Sequence, residues 1–154
     1  MQIADILTPE RVACNLQAGS KKRVFEMLGE IIADHSDVSV SAHEIFDSLI
    51  ARERLGTTAI DHGVAIPHGR LKNTATTTGA FVQLKEGIDC DAMDRQEVRL
   101  LFALLVPEES TEEHLQLLAR LAKMFSDTEL RAKLLAAADR QSLYDLIIAW
   151  DSSH

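Results

Sequence analysis

Cysteine is scarce in this 154-residue chain: only Cys14 and Cys90, far apart and in no Cys-x-x-Cys or Cys/His spacing. That excludes a disulfide framework and a zinc site of the usual kind, and is consistent with two reduced, structural thiols. Basic charge is also short, with 16 Lys and Arg against 24 Asp and Glu and a formal net charge of -8. No basic stripe exists to neutralise a phosphate backbone, so nucleic acid is excluded as a partner. The acidity favours solubility and complements a basic partner face. No apolar run approaches membrane-spanning length. Met1 to Ile6 lacks both the positive and the apolar region of a signal peptide, so a cytoplasmic protein is expected. Missing too are the Gly-x-x-x-x-Gly-Lys-Ser/Thr loop, a kinase glycine loop and Gly-x-Ser-x-Gly, which removes ATP as a direct phosphate source and acyl transfer as a reaction.

What is present is an ordinary globular composition, 46% hydrophobic and 26% charged with 3 Pro. One domain over 1–154, with its core at about 3–150, suits this length, and such a domain buries roughly 68–70% of its unfolded surface. In chain order, Thr8-Pro9-Glu10 predicts a turn and then a short strand. Ser20 is placed to cap a helix through His35, with Val24, Met27, Leu28, Ile31 and Ile32 at helical spacing. Ser41 and Glu44 have capping-box spacing before a helix through Arg54, with Ile45, Leu49 and Ile50 facing inward.

Asn73 to Thr78 reads as polar loop and Gly79 to Leu84 as a strand. Lys85 to Gln96 is turn-rich, with room for a short strand near Ile88. Val98 to Val106 is almost continuously apolar and ends at Pro107, which suits a central strand buried on both faces. Ser110 with Glu113 predicts a helix with Leu117, Leu118, Leu121, Ala122 and Phe125 on its apolar face. Ser126 with Glu129 predicts a helix from Asp127 to Ala138, and a last one runs from Arg140 to Trp150 before a frayed tail, Asp151 to His154. Helices before, between and after strands, without strict alternation, predict an α/β fold with a mixed sheet covered by helices on both faces.

The informative stretch is Arg52 to Arg70. Its end, Gly63-Val64-Ala65-Ile66-Pro67-His68-Gly69-Arg70, reads as a brief buried strand that delivers His68 to a surface turn. Pro67 fixes its own φ, pushes Ile66 toward extended geometry, and Gly69 permits a sharp bend. Alone, Pro-His-Gly is more often a plain turn that happens to hold a histidine. The order Arg-Glu, Gly-Thr-Thr and Gly-Val-Ala-Ile-Pro-His-Gly-Arg, however, resembles the phosphorylation-site region of IIA components of the bacterial phosphoenolpyruvate-dependent phosphotransferase system. The match is to the fructose/mannitol class, and within it to the nitrogen-regulatory type. It extends through Leu101-Phe102-Ala103-Leu104-Leu105-Val106-Pro107 and His114-Leu115.

The resemblance implies that His68 carries a phosphoryl group and that Arg52, which lies 68−52 = 16 residues earlier, stabilises it. A guanidinium can hold two phosphoryl oxygens at once. It further implies that His114, at a helix N-terminus where N–H groups and the dipole favour anions, sits beside His68 unmodified. Thr57 and Thr58 match a hydroxyl pair in the family, where one hydroxyl could hold the second imidazole nitrogen or a phosphoryl oxygen, and Gly69 completes the support. Without the resemblance, Arg52 and His114 read as exposed helix residues and the threonines as local backbone caps. The chain departs from the family's usual pattern at Ala59, Asp61 and His62. Asp61 could repel a phosphoryl group or raise the imidazole pKa. A His62/His68/His114 metal site is the rival reading, but i, i+6 is not helical ligand spacing and nothing completes the set, so no metal or other cofactor is expected.

The implied activity is that of a phosphotransferase component with a phosphohistidine intermediate and no ATP site. Its donor would be an HPr-like phosphocarrier, and its targets regulatory proteins such as sensor kinases or potassium transporters. A IIA component passing phosphate to a separate IIB for sugar uptake is the first alternative, although neither cysteine sits in a IIB-like setting. The other is a binding module that is never phosphorylated.

Overall fold

The computed structural model describes residues 1–154 apart from Asn73 and Ser110, with the backbone alone at Thr111. The Ser110 capping box and the start of the loop at Asn73 therefore lie outside the described residues. Among the described residues the strands are β1 (Val12–Leu16), β2 (Ala59–Ile60), β3 (Val64–Ala65), β4 (His68–Leu71), β5 (Thr78–Ile88) and β6 (Val98–Pro107). The α-helices are α1 (Lys21–Asp34), α2 (Ala42–Leu55), α3 (Thr111–Phe125), α4 (Thr128–Ala136) and α5 (Arg140–Ser153).

The sheet runs β1-β5-β6-β3-β2, with β4 also paired to β6. Strand β6 is its axis. It is antiparallel to β5 and parallel to β3 and β4, and every residue from Leu100 to Val106 is buried. Alternate residues serve opposite cores, which is why the sequence shows no polar alternation. Leu100, Phe102, Leu104 and Val106 meet Leu117, Leu121, Met124 and Phe125 of α3 and the apolar faces of α4 and α5. Leu101, Ala103 and Leu105 meet Val24, Phe25, Leu28 and Ile32 of α1 and Ile45 and Leu49 of α2. The expected mixed sheet with helices on both faces is the observed architecture.

Ser20 caps α1 through its hydroxyl, which accepts from Arg23 N at 3.2 Å, and Ser41 caps α2 by accepting from Glu44 N at 3.1 Å. On α1 the buried stripe is Val24, Phe25, Leu28 and Ile32, while Met27 and Ile31 are half-buried.

Four expectations are corrected. The apolar run before His68 is not one strand ending at the histidine. It splits into β3 and β4, which lie end to end along β6 (Val64 opposite Leu100, His68 opposite Leu104), so His68 opens a strand. Pro67 has no N–H for the ladder and breaks it. Strand β5 runs on through Lys85–Gly87 to Ile88, because a register shift between Gln83 and Ile88 lets pairing with β6 resume at Val98. Helix α4 is capped by Asp127, whose carboxylate accepts from Leu130 N at 3.1 Å. Ser126 instead closes α3 by donating to the Lys123 carbonyl at 2.6 Å.

The last correction is that α5 continues to Ser153 and its end is anchored. Asp151 is 2% exposed; its carboxylate pairs with Arg120 at 2.6 Å and accepts from Ala4 N at 2.9 Å. His154 stacks on Trp150 at 4.4 Å. Asp151 thus ties together the N-terminus, α3 and α5. Asp151→Ala should lower the unfolding free energy by about 2–3 kcal/mol, since a hydrogen-bonded charge loses its partner; urea unfolding at neutral pH measures it.

Candidate phosphohistidine site

Three elements converge on one cleft. The last turn of α2 supplies Arg52, the first residue of β4 is His68, and the first turns of α3 supply His114, Leu115 and Leu118. The cleft has a volume of about 620 Å³ and is also lined by Ser48, Ala51, Leu55, Gly69 and Arg70. The His68 and His114 rings meet edge to face, with centroids 5.2 Å apart. Thus His68, Arg52 and His114, separated by up to 114−52 = 62 positions in sequence, line a common wall.

Half-buried His68 has its Nδ1 2.9 Å from the Ile66 carbonyl. A carbonyl only accepts, so the neutral ring carries its proton on Nδ1 and Nε2 keeps a lone pair. Among the described residues Nε2 has no hydrogen-bond partner. Burial is the main cause that lowers the pKa of His68, opposed by the Ile66 bond and helped by the Arg52 charge, so the ring is neutral near pH 7. His114 is 6% exposed, and neither of its nitrogens has a partner among the described residues. Burial first, then the neighbouring His68, Arg70 and Arg52, bring its pKa down to about 4. Both imidazoles are therefore uncharged at neutral pH, and His114 has a donor to offer to whatever reaches His68.

Arg52 is half-buried and donates from Nη1 to the Gly56 carbonyl at 2.9 Å, a bond that pins the guanidinium at the end of its own helix. Arg70, in the same wall, is exposed and its side chain makes no ion pair or hydrogen bond among the described residues.

The two threonines face elsewhere. The Thr57 hydroxyl donates to the Cys90 carbonyl and accepts from Ala59 N at 3.1 Å, and the Thr58 hydroxyl donates to Glu53. Neither holds the second nitrogen of His68; the Ile66 carbonyl does that. Gly69 packs on Ser48 of α2. A Cβ there would overlap the Ser48 hydroxyl and stand 3.1 Å from the Ser48 backbone. The same hydroxyl donates to the Arg70 carbonyl at 2.9 Å.

Asp61 and His62 are exposed in the turn between β2 and β3, where His62 N donates to Asp94 at 2.8 Å. The charges that act on His68 are Arg52, Glu53 and Arg70. Among the described residues no three His, Cys, Asp or Glu side chains cluster as a metal would require.

Sequence reasoning gave no role to Arg70, Ser48 or the apolar rim of Leu55 and Leu115. Leu55 is 85% exposed and Leu115 65% exposed. The available signal was positional: each leucine follows a charged or site residue on the solvent side of its helix, where an apolar stripe has no core to meet.

The fold and this cleft define a IIA phosphotransferase component. Residues 5–150 match the family described as "Phosphoenolpyruvate-dependent sugar phosphotransferase system, EIIA 2", and the chain belongs to that family. Its relatives include the nitrogen regulatory protein of Pseudomonas aeruginosa, 40% identical over 148 residues and covering 96% of each chain. The fructose-specific EIIA component of Haloferax volcanii is 34% identical over 150 residues, covering 96% of this chain and 97% of that one. The crystal structure of the nitrogen regulatory protein IIA-Ntr from Neisseria meningitidis is similar at a TM-score of 0.88 and 39% identity, over 94% of this chain and 98% of that one.

Two measurements follow from the packing and the charges. Gly69→Ala should cost about 1–3 kcal/mol by forcing α2 away from β4, read as a lower urea midpoint with an unchanged slope. His114 makes stability depend on pH. Its folded pKa of about 4 is below the ordinary 6.5, so the unfolded chain binds more protons between those values. Its contribution is complete above pH 6.5 and is lost as pH falls toward 4, by up to about 3 kcal/mol in all. In His114→Gln the fall of stability across that window should be visibly shallower in urea titrations at stepped pH.

Proposed function

We propose that this protein accepts a phosphoryl group on Nε2 of His68 from an HPr-like phosphocarrier, and that its phosphorylation state governs binding to regulatory proteins in the cytoplasm. The observation that carries the reading is the Nδ1 contact with the Ile66 carbonyl inside a cleft walled by Arg52, Arg70 and His114.

The transfer balances without a base. The Nε2 lone pair attacks phosphorus while the phosphorus–nitrogen bond of the donor's phosphohistidine breaks, and its electron pair returns to the donor ring. The His68 proton stays on Nδ1, against the Ile66 carbonyl. Transfer of this kind passes through a loose, charge-spread transition state, so positioning and electrostatics are what the protein contributes. In this reading Arg52 gives two donors to the phosphoryl oxygens, with the exposed Arg70 adding positive charge. His114, itself unmodified, gives one neutral donor. The exposed Leu55 and Leu115 offer apolar area around the cleft mouth against which a carrier can seat.

A phosphoryl group brings a charge of about -2 to this mouth, enough to switch a docking surface by local electrostatics. The regulatory role is favoured by the similarity to the nitrogen regulatory proteins. A second reading, a IIA component that serves sugar transport through a separate IIB, is favoured by the 34% identity to a fructose-specific EIIA component.

The test is intact-mass analysis after incubation with phosphoenolpyruvate, enzyme I and an HPr-type carrier. One acid-labile phosphoryl group is expected on the wild type and none on His68→Ala. Arg52→Ala should still be modified, at a rate reduced on the order of 100-fold. No gain in the wild type with any carrier would return the protein to the class of unphosphorylated binding modules. Rapid discharge to a fructose-type IIB would favour the transport role over the regulatory one.

A further inference from the structure

The transfer described above makes no use of Glu53, the neighbour of Arg52 in the last turn of α2. Its side chain is 3% exposed. Two general effects oppose a carboxylate there: burial penalises the charge, and the negative end of the helix dipole repels it. The chain holds it by supplying partners. Oε1 accepts from Thr58 N at 3.1 Å and from the Thr58 hydroxyl, and Oε2 pairs with Lys21 of α1 at 3.3 Å. Lys21 also pairs with Asp91 at 3.1 Å.

A continuous path leads from this carboxylate to the histidine. Thr58, clamped at its N–H and hydroxyl, presents its carbonyl to Ile66 N at 3.0 Å. The next carbonyl, that of Ile66, accepts from His68 Nδ1 at 2.9 Å. Between Ile66 and His68 the chain has no donor to β6, since Pro67 has no N–H; its one bond to β6 there is through the Pro67 carbonyl, which accepts from Leu104 N at 2.9 Å. The bond to Thr58 fixes the peptide group before Ile66, and the bond from Leu104 to the Pro67 carbonyl fixes the chain beyond it. Glu53 acts on the carbonyl between them, because it takes the Thr58 N–H that would otherwise meet the Ile66 carbonyl in the antiparallel β2–β3 ladder.

We propose that Glu53 is a positioning residue for His68: by clamping Thr58 it aims the Ile66 carbonyl that keeps the ring proton on Nδ1 and leaves Nε2 bare. The inference rests on the phosphoacceptor reading of His68 and gives the threonine pair an indirect role. Thr58 acts through its backbone, and its hydroxyl serves the clamp.

The experiment combines 15N NMR of histidine-labelled protein with the rate of phosphoryl acceptance from an HPr-type carrier. The wild type should show His68 as a single Nδ1–H tautomer. Folded Glu53→Ala should show a mixture of tautomers and accept the phosphoryl group on the order of tenfold more slowly, as displaced reacting groups do. The KM for the carrier should stay within about twofold, because the docking surface is untouched. Glu53→Gln keeps an acceptor for Thr58 without the charge, and should recover most of the tautomer bias and the rate. If Glu53→Ala does not fold, Thr58→Val carries the test. It removes the hydroxyl end of the clamp alone, and should shift the tautomers partway with a rate loss of about threefold.

A wild-type tautomer and rate in folded Glu53→Ala, or in Thr58→Val, would overturn the proposal. So would a Glu53→Gln protein as impaired as Glu53→Ala, which would assign the effect to charge. Failure of the phosphoacceptor reading looks different, since the wild type itself would then take up no phosphoryl group whatever its tautomer.

Discussion

The ladder between β6 and the strands beside it is broken at one residue, and the site depends on that break. Pro67 brings no N–H to β6, so β3 stops at Ala65 and β4 starts at His68. Within the gap the Ile66 amide turns to Thr58 and the Ile66 carbonyl turns to His68. That carbonyl lies on the edge of the strand away from β6, where the Thr58 N–H that would otherwise meet it donates to Glu53 instead. The gap costs little because β6 itself is secured elsewhere: β5 pairs along its other edge, and both of its faces are packed with apolar side chains. A rigid axis tolerates one missing bond, and the interruption lets His68 open a new strand.

The charge distribution follows a similar logic. The chain as a whole is acidic, with a formal net charge of -8, yet the cleft is walled by two arginines and two imidazoles. Burial keeps both rings neutral at physiological pH, so the standing positive charge of the cleft comes from Arg52 and Arg70 alone. That division matters for an acceptor. A protonated His68 would have no lone pair to offer, and a protonated His114 would compete with Arg52 for the same anion. Glu53 sits behind Arg52, its charge matched by Lys21, and so holds backbone on the protein side while Arg52 faces the cleft.

Much of this was legible in the sequence, and the parts that were not share a cause. The two-faced burial of β6 could be read from its unbroken apolar run, and α1 and α2 from serine caps and helical spacing, since each of these signals is local. The block from Arg52 to Arg70 led to the residues of the cleft because their order resembles a known family. What escaped was decided by competition between neighbours. Ser126 and Asp127 both suit a cap, and the aspartate wins by standing one residue nearer the helix. The tail from Asp151 onward is polar and terminal, but it pairs with Arg120 and Ala4, distant in sequence. Thr58 has the right residue type beside the right motif, yet its hydroxyl is taken by a carboxylate five positions upstream.

Residues that recur beside a reactive histidine are easily given direct contacts with it, because sequence proximity suggests touch. Here the order Arg-Glu-…-Thr-Thr-…-Ile-Pro-His arranges contacts in two layers. Arg52 faces the cleft, while Glu53, one residue on and turned about 100° around the helix, faces the backbone that carries His68. On the proposed reading, two adjacent residues of opposite charge serve one imidazole from opposite sides: the cation would address the incoming oxygens, and the anion the backbone that fixes the proton. Exchanging their order would bury the guanidinium and put a carboxylate in the wall of the cleft beside His68. The helical phase at the end of α2 is therefore as much a determinant of the site as the identity of either residue.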